Sequence, residues 1–348
     1  MDNLHLPYFK EKIENAQSKL NNLRFSHCTK LTNAVSIIKS NELWMSRADS
    51  FSDKTEIEYG RDIFNEIIRG GVGDRFNIEV PYLGIEGGLF RDYYKDYTSG
   101  NTEEKYMYEH SFIFCLREEL AGEDNCDDSY MWEHYVKSSS EVGVTFIFKA
   151  ESLCRMFEYK PNLEAMFILA PVLYKNEHEI KEYLENQCKK YLDQLKKLRQ
   201  CMNDTTILIQ TFFALFSAII LTKHKCNVDT HEDYTQEKEW RIIFATIPDS
   251  NKSPIRMEPN YGKRDYGSGK GETRLEYMER EGKSPVYKIK IGSWEKDGAS
   301  HWDKIIDKVY IGPGEEIKRI EAFNTIKELL HKNGVKDIEQ RVCMSKVR

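Results

Sequence analysis

Paired cysteines are missing. The eight cysteines, Cys28, Cys115, Cys126, Cys154, Cys188, Cys201, Cys226 and Cys343, are scattered without any C-x-x-C spacing. That excludes a zinc ribbon or a thioredoxin-like redox motif, and it predicts a reduced, cytoplasmic protein whose thiols serve as small apolar side chains. An apolar signal core is absent from Met1–Lys12, so no export is expected. Long hydrophobic runs are also scarce. The longest, Thr205–Thr222, is barely of spanning length and carries Gln210, Thr211 and Ser217, which predicts a buried central helix rather than a membrane segment. Surplus positive charge is lacking as well, with 51 Lys and Arg against 57 Asp and Glu and a formal net charge of −6. Broad electrostatic attraction to nucleic acid or anionic lipid is thereby excluded, although a local basic patch is not. The chain has no G-x-S-x-G, P-loop, G-x-G-x-x-G or H-E-x-x-H motif, which argues against the common hydrolase and nucleotide-binding plans.

What is present is enough for a large core. The 348 residues are 40% hydrophobic and include 20 Tyr and 17 Phe, a load that suits a dense aromatic interior. Helical spacing runs through Pro7–Leu23, the Thr32-capped segment up to Asn41, Lys54–Arg69, Ser129–Val136 and Glu315–Asn333. A charged helix, Glu177–Met202, is expected to form a hairpin with Thr205–Thr222. Strand patterns cover Leu23–Thr29, Glu42–Ser46, Ser111–Leu116, Gly143–Phe148, Phe167–Tyr174, Trp240–Ile247, Val286–Ile291 and Lys308–Gly312, with an edge strand over Val335–Val342. Strands and helices mix without a βαβ rhythm. The predicted class is therefore α+β: a single mixed domain over 1–348 with a central, largely antiparallel sheet and flanking helices. Insertions are placed at 70–105 (irregular), 177–224 (the helical hairpin) and 249–284 (a mobile loop).

The charged row Glu237, Glu239, Arg241 at the mouth of an apolar strand stands out, because residues two apart share one face. Such a row is costly to bury unless it pairs internally or meets a ligand. It therefore reads either as a site or as a structural Glu–Arg pair. His27 can face a cleft at the end of its strand or be a satisfied structural residue. Arg47 offers a fork for a phosphate or pyrophosphate, or a partner for Asp49 or Asp53. Trp132, His134 and Tyr135 share one helical turn, where they can stack on a ligand or dock the helix; Trp44 is a further stacking candidate. Asp49, Asp53 and Glu56 lack the spacing of a calcium loop, and His224, Cys226 and His231 lack a paired zinc motif, so no metal site is assigned.

In order along the chain, Phe25-Ser-His27-Cys-Thr29, Leu43-Trp44-Met45-Ser46, Ser50-Phe51-Ser-Asp53, Phe114-Cys115-Leu116, Met131-Trp132-Glu-His134-Tyr135, Glu237-Lys-Glu239-Trp240-Arg241 and Val309-Tyr310-Ile311-Gly312 resemble the bacterial family known as domain of unknown function 2971. Cys28 and Ser52 depart from its usual Tyr and Asn. Members of that family are similar to proteins of bacterial defence and toxin-like loci, which implies an intracellular effector and a partner protein from such a locus. More distantly, the arrangement resembles ADP-ribosyltransferase-like toxins. That likeness implies NAD as cofactor and a nucleic acid, a protein or water as acceptor. His27 would hold the nicotinamide ribose, Arg47 the pyrophosphate and Glu239 the reacting centre, with Trp44, Trp132, His134, Tyr135 and Arg241 around the cofactor and Glu237, Asp49 and Asp53 in support. The alternatives are a metal-dependent nuclease or phosphodiesterase built on Asp49, Asp53, Glu237 and Glu239, and a non-catalytic ligand-sensing or partner-binding module.

Overall fold

The computed structural model describes residues 5–51, 55–80, 109–120, 127, 129–135, 141–156, 165–198, 200–202, 204–226, 233–246, 275–291 and 302–347. Its first half contains α1 (Pro7–Gln17), β1 (Leu23–Lys30), α2 (Leu31–Ser40), β2 (Glu42–Arg47), α3 (Thr55–Arg69), α4 (Gly71–Glu79), β3 (Ser111–Leu120), α5 (Ser129–Tyr135), β4 (Gly143–Lys149), α6 (Ala150–Met156), β5 (Ala165–Pro171) and β6 (Leu173–Lys175). The second half contains α7 (Glu177–Leu198), α8 (Asp204–Ile220), β7 (Thr222–His224), β8 (Glu239–Thr246), β9 (Leu275–Arg280), β10 (Lys283–Lys290), α9 (Trp302–Ile305), β11 (Ile306–Ile311), α10 (Glu316–Lys332), α11 (Ile338–Arg341) and β12 (Val342–Met344).

The class is mixed α+β, with a central, mostly antiparallel sheet of ten described strands and flanking helices. Period-two alternation divides its side chains between two apolar layers. Ile113, Ile168, Ala170 and Ile243 face the layer packed by α1, α3, α4, α7 and α8. Phe112, Phe114, Leu116, Trp240 and Phe244 face the layer closed by α2 and α10. Strand β8 is buried along its whole length, which accounts for its unbroken apolar run. Tyr191 Oη donates to Thr211 Oγ1 at 3.2 Å between α7 and α8, and both helices pack against α3.

The sheet forks at its centre. One edge of β3 pairs with β8 from Ser111 to Arg117. Its other edge carries β2 at Phe112 and Ile113, and β1 from Arg117 to Leu120. Between these contacts, at Phe114–Leu116, β1 leaves with β4 while β2 leaves with β10. Helix α2 joins the two arms.

Several expected boundaries differ. Helix α2 starts at Leu31 without a side-chain cap from Thr32, and the Leu31 N–H is satisfied instead by the Val142 carbonyl at 2.9 Å. The apolar run Phe167–Tyr174 breaks at Val172, whose N–H turns to the Glu239 carbonyl at 2.8 Å. The insertion expected at 70–105 opens with the regular helix α4, and residues 81–105 lie outside the described residues. The expected loop at 249–284 contains β9, held by antiparallel pairing to β10, while residues 249–274 lie outside. Of the edge strand expected at Val335–Val342, only Val342 pairs, because the left-handed Asp337 (φ 52°) starts α11 first.

Candidate functional site

His27 sits at the fork. Its half-buried ring stacks on Phe114, with centroids 4.3 Å apart. Its Nδ1 lies 3.0 Å from the Cys115 carbonyl. A carbonyl oxygen only accepts, so Nδ1 carries the proton and Nε2 is the lone-pair nitrogen of the neutral ring. Burial pushes the pKa of this imidazole down to about 4, against the opposing pull of the Cys115 bond. His27 is therefore neutral near neutral pH.

Beside it, the helical-layer face of the sheet buries a row of ionisable side chains. Arg117, Glu119, Lys223, Glu237, Glu239 and Arg241 are all buried. They are three acids and three cations, so the row is neutral as a set. Arg241 grips Glu239 with two bonds, Nε to Oε1 at 2.8 Å and Nη2 to Oε2 at 3.1 Å. Its Nη1 donates to the Ile220 carbonyl at 2.6 Å, placing a cation at the C-terminal end of α8, where free carbonyls and the helix dipole favour it. Lys223 Nζ donates to Glu237 Oε2 at 2.9 Å and lies 3.9 Å from Glu239. Tyr174 Oη donates to the same Glu237 oxygen at 3.2 Å. Ser26 Oγ donates to Glu119 at 2.9 Å.

Burial alone would raise the Glu239 pKa, but Arg241 and then Lys223 pull it down to about 2, so this carboxylate stays ionised. Burial and then the charges of Glu239 and Glu237 push the Tyr174 phenol well up, keeping it a neutral donor. Glu237 is not on the strand. It ends the 3-10 turn Tyr234–Glu237, and the left-handed Lys238 (φ 43°) separates it from β8. Its convergence with Glu239 comes from shared contact with Lys223 rather than from strand alternation.

His27, Cys28, Cys115, Arg117, Glu237 and Glu239 line one cavity of about 40 Å³, with Met131 of α5 beside them. The Cys28 thiol there is raised by burial to about 11 and is no thiolate nucleophile near neutral pH. Residues from β1, β3, the Tyr234–Glu237 turn and β8 thus meet at this cavity; of the residues singled out in the sequence, His27, Glu237 and Glu239 line it, and Arg241 reaches it only through its grip on Glu239.

Other candidates lie elsewhere. Arg47 pairs with Phe112 of β3, whereas Glu239 pairs with Arg117. Five residues of strand separate those positions, about 17 Å along β3. Arg47 forks onto Asp49 instead, Nε to Oδ1 at 2.8 Å. The guanidinium on the cavity lining is instead that of Arg117, which stands opposite Glu239 in the β3–β8 pair. Trp44 is exposed on β2, bonded to Glu42 and covered by Lys288, whose Nζ is 5.3 Å from the ring. Trp132 is buried under Gly312 and donates to Asp127 at 3.0 Å, so it docks α5. His134 bonds the Tyr130 carbonyl at 2.8 Å and stacks on that ring. Asp53, His231 and the side chains of Glu56 and Tyr135 lie outside the described residues. Among the described residues no group of three or more His, Cys, Asp or Glu side chains could hold a metal.

Three members of the row, Arg117, Glu119 and Lys223, went unread in the sequence, as did Tyr174, which bonds Glu237. Arg117 and Glu119 repeat the two-residue charge spacing of Glu239 and Arg241, and continuing the strand past Leu116 would have found them. Lys223 simply follows an apolar helix and gives no local sign.

Residues 131–242 match the family model described as Protein of unknown function (DUF2971). No curated protein and no solved structure matches the chain.

Proposed function

We propose, from the match of residues 131–242 to the DUF2971 model and from the geometry at the fork, that this chain is an NAD-using enzyme of the ADP-ribosyltransferase or NAD glycohydrolase kind. The observation that carries this reading is the meeting of His27 with Glu237 and Glu239 around one cavity at the fork of the sheet. Cleavage of the nicotinamide glycosidic bond passes through an oxocarbenium-like state, which a standing carboxylate stabilises. Glu239 supplies that permanent negative charge, and Arg241 fixes its orientation. Glu237 is the second acid at the cavity, held by Tyr174 and Lys223. Neutral His27 is the ribose-binding group, and Arg117 takes the place expected of Arg47. A cavity of about 40 Å³ has room only for water-sized groups, about 10–15 Å³ each, so a nicotinamide ring would need the lining to open. The resemblance to defence-locus effectors adds a cytoplasmic setting, a partner protein from such a locus, and a nucleic acid, protein or water as acceptor.

A second reading, a non-catalytic binding module, is favoured by a different observation. Both oxygens of Glu239 are taken by Arg241, which also ties down α8, as a purely structural clasp would. The metal-dependent nuclease reading loses its ligand set, because Asp49 is committed to Arg47 at the far end of β3.

Incubation with NAD, with and without EDTA, separates the three. Nicotinamide release that ignores EDTA and disappears in Glu239→Gln and His27→Ala is the expected result. Magnesium-dependent cleavage of nucleic acid would favour the nuclease. No release, with Glu239→Gln only lowering the melting temperature, would leave the structural clasp.

A further inference from the structure

We propose that a second, larger cavity, the groove of about 560 Å³ between α1, the Tyr234–Lys238 turn and the mouth of β8, binds the phosphates of a nucleotide. The groove is distinct from the cavity at the fork, and Glu239 lines both. Its volume falls in the range of small-molecule sites, about 300–1,000 Å³.

Charge selects the ligand. On a chain of net charge −6, this groove presents three exposed ammonium groups, from Lys12, Lys19 and Lys238. None of them forms an ion pair among the described residues, whereas the two carboxylates on the lining are already engaged. Glu118 accepts from Trp240 Nε1 at 2.7 Å, and Glu239 is clamped by Arg241. The groove is therefore a positive concavity whose own acids do not compete for its lysines. Lysines act as mobile point charges on phosphate oxygens. Tyr8 lines the same end, with Lys12 Nζ over its ring, 5.8 Å from the centroid.

Lys238 adds a backbone observation. Its φ of 43° and ψ of 42° are left-handed, a conformation that costs a residue bearing Cβ about 1 kcal/mol. The turn is pinned on both sides, by the Glu118 N–H on the Lys238 carbonyl at 3.0 Å and the Lys238 N–H on the Thr235 carbonyl at 3.2 Å. Backbone strain held in place beside a charged cavity is typical of ligand clamps.

Isothermal titration of the full chain with ADP, and with inorganic pyrophosphate, tests the assignment. Saturable binding that weakens as salt is raised is expected, with a loss of about tenfold or more in the triple variant Lys12→Glu, Lys19→Glu, Lys238→Gly. The glycine suits the left-handed backbone and the other two positions are exposed, so the variant should melt at or above the temperature of the native chain. Absence of saturable ADP binding, an unchanged affinity in the triple variant, or a polyglutamate peptide bound more tightly than ADP would each overturn the proposal. ADP lacks the nicotinamide bond, so its binding reports on the groove whether or not NAD is cleaved.

Discussion

Arg241 has the smallest exposure of the six ionisable side chains in the buried row, at 1%, and it makes three bonds: two to Glu239 and one to the end of α8. Arg241→Met would leave Glu239 with Lys223, 3.9 Å away, as its nearest cation and strip the Ile220 carbonyl of its donor. Removing one member of a buried pair costs about 3–5 kcal/mol. Urea unfolding should show a loss of that size, and adding Glu239→Gln should recover part of it, because the uncompensated charge is gone. If the double variant were less stable than Arg241→Met, the Glu239 charge would not be the source of the penalty. At this scale the sequence was half legible. The i,i+2 spacing announced the Glu239–Arg241 pair, but nothing local indicated that Lys223 or Tyr174 would join it. Arg47 illustrates the converse: an acid two residues away captured it before any ligand could.

Among elements, α3 and α8 come into close backbone contact at Gly60. A Cβ there would lie 2.2 Å from the Ile219 carbonyl oxygen, a backbone atom that cannot swing aside. Gly60→Ala should force the two helices apart and cost about 1–3 kcal/mol, read as a lower melting temperature. On the opposite side of the fork, Trp132 lies under Gly312, where a Cβ would come within 2.7 Å of its ring. Gly312→Ala should displace Trp132 and change tryptophan fluorescence and near-ultraviolet dichroism while leaving far-ultraviolet dichroism nearly unchanged. An unaltered near-ultraviolet spectrum would mean that Trp132 does not depend on this contact. Helix and strand positions were readable from periodicity, since Ile57, Phe64, Ile67 and Ile68 repeat along the buried face of α3. Strand β9 was not, because Tyr277 and Glu279 face the same way without a simple apolar alternation.

For the whole molecule, acid is the informative stress. His27 and His5 both titrate at about 4 when folded, in each case chiefly because of burial, against an ordinary 6.5. The unfolded chain therefore takes up protons first. The contribution of these residues is complete above pH 6.5 and is lost as pH falls toward 4, on the order of 3 kcal/mol for each. Glu239 follows lower down, its contribution complete above 4.5 and lost toward 2. Melting temperature should thus begin to fall already between pH 6.5 and 5, and His5→Gln with His27→Gln should flatten that upper part of the curve. A native profile that is level down to pH 4.5 would contradict the burial assigned to both rings. The described residues contain no helix long and apolar enough to cross a membrane.

The chain alone determined the α+β class, the core helices and the suspicion attached to Glu239, because periodicity and two-residue spacing are local properties that survive any folding. Only the tertiary structure decided which charges meet. Sheet order puts β3 between β1 and β8, so Arg117 rather than Arg47 faces the acids, and the end of α8 brings Ile220 and Lys223 to Arg241 and Glu237. Contacts between residues a hundred or more positions apart depend on how strands are ordered, and that order is set by burial of the whole set of apolar faces at once.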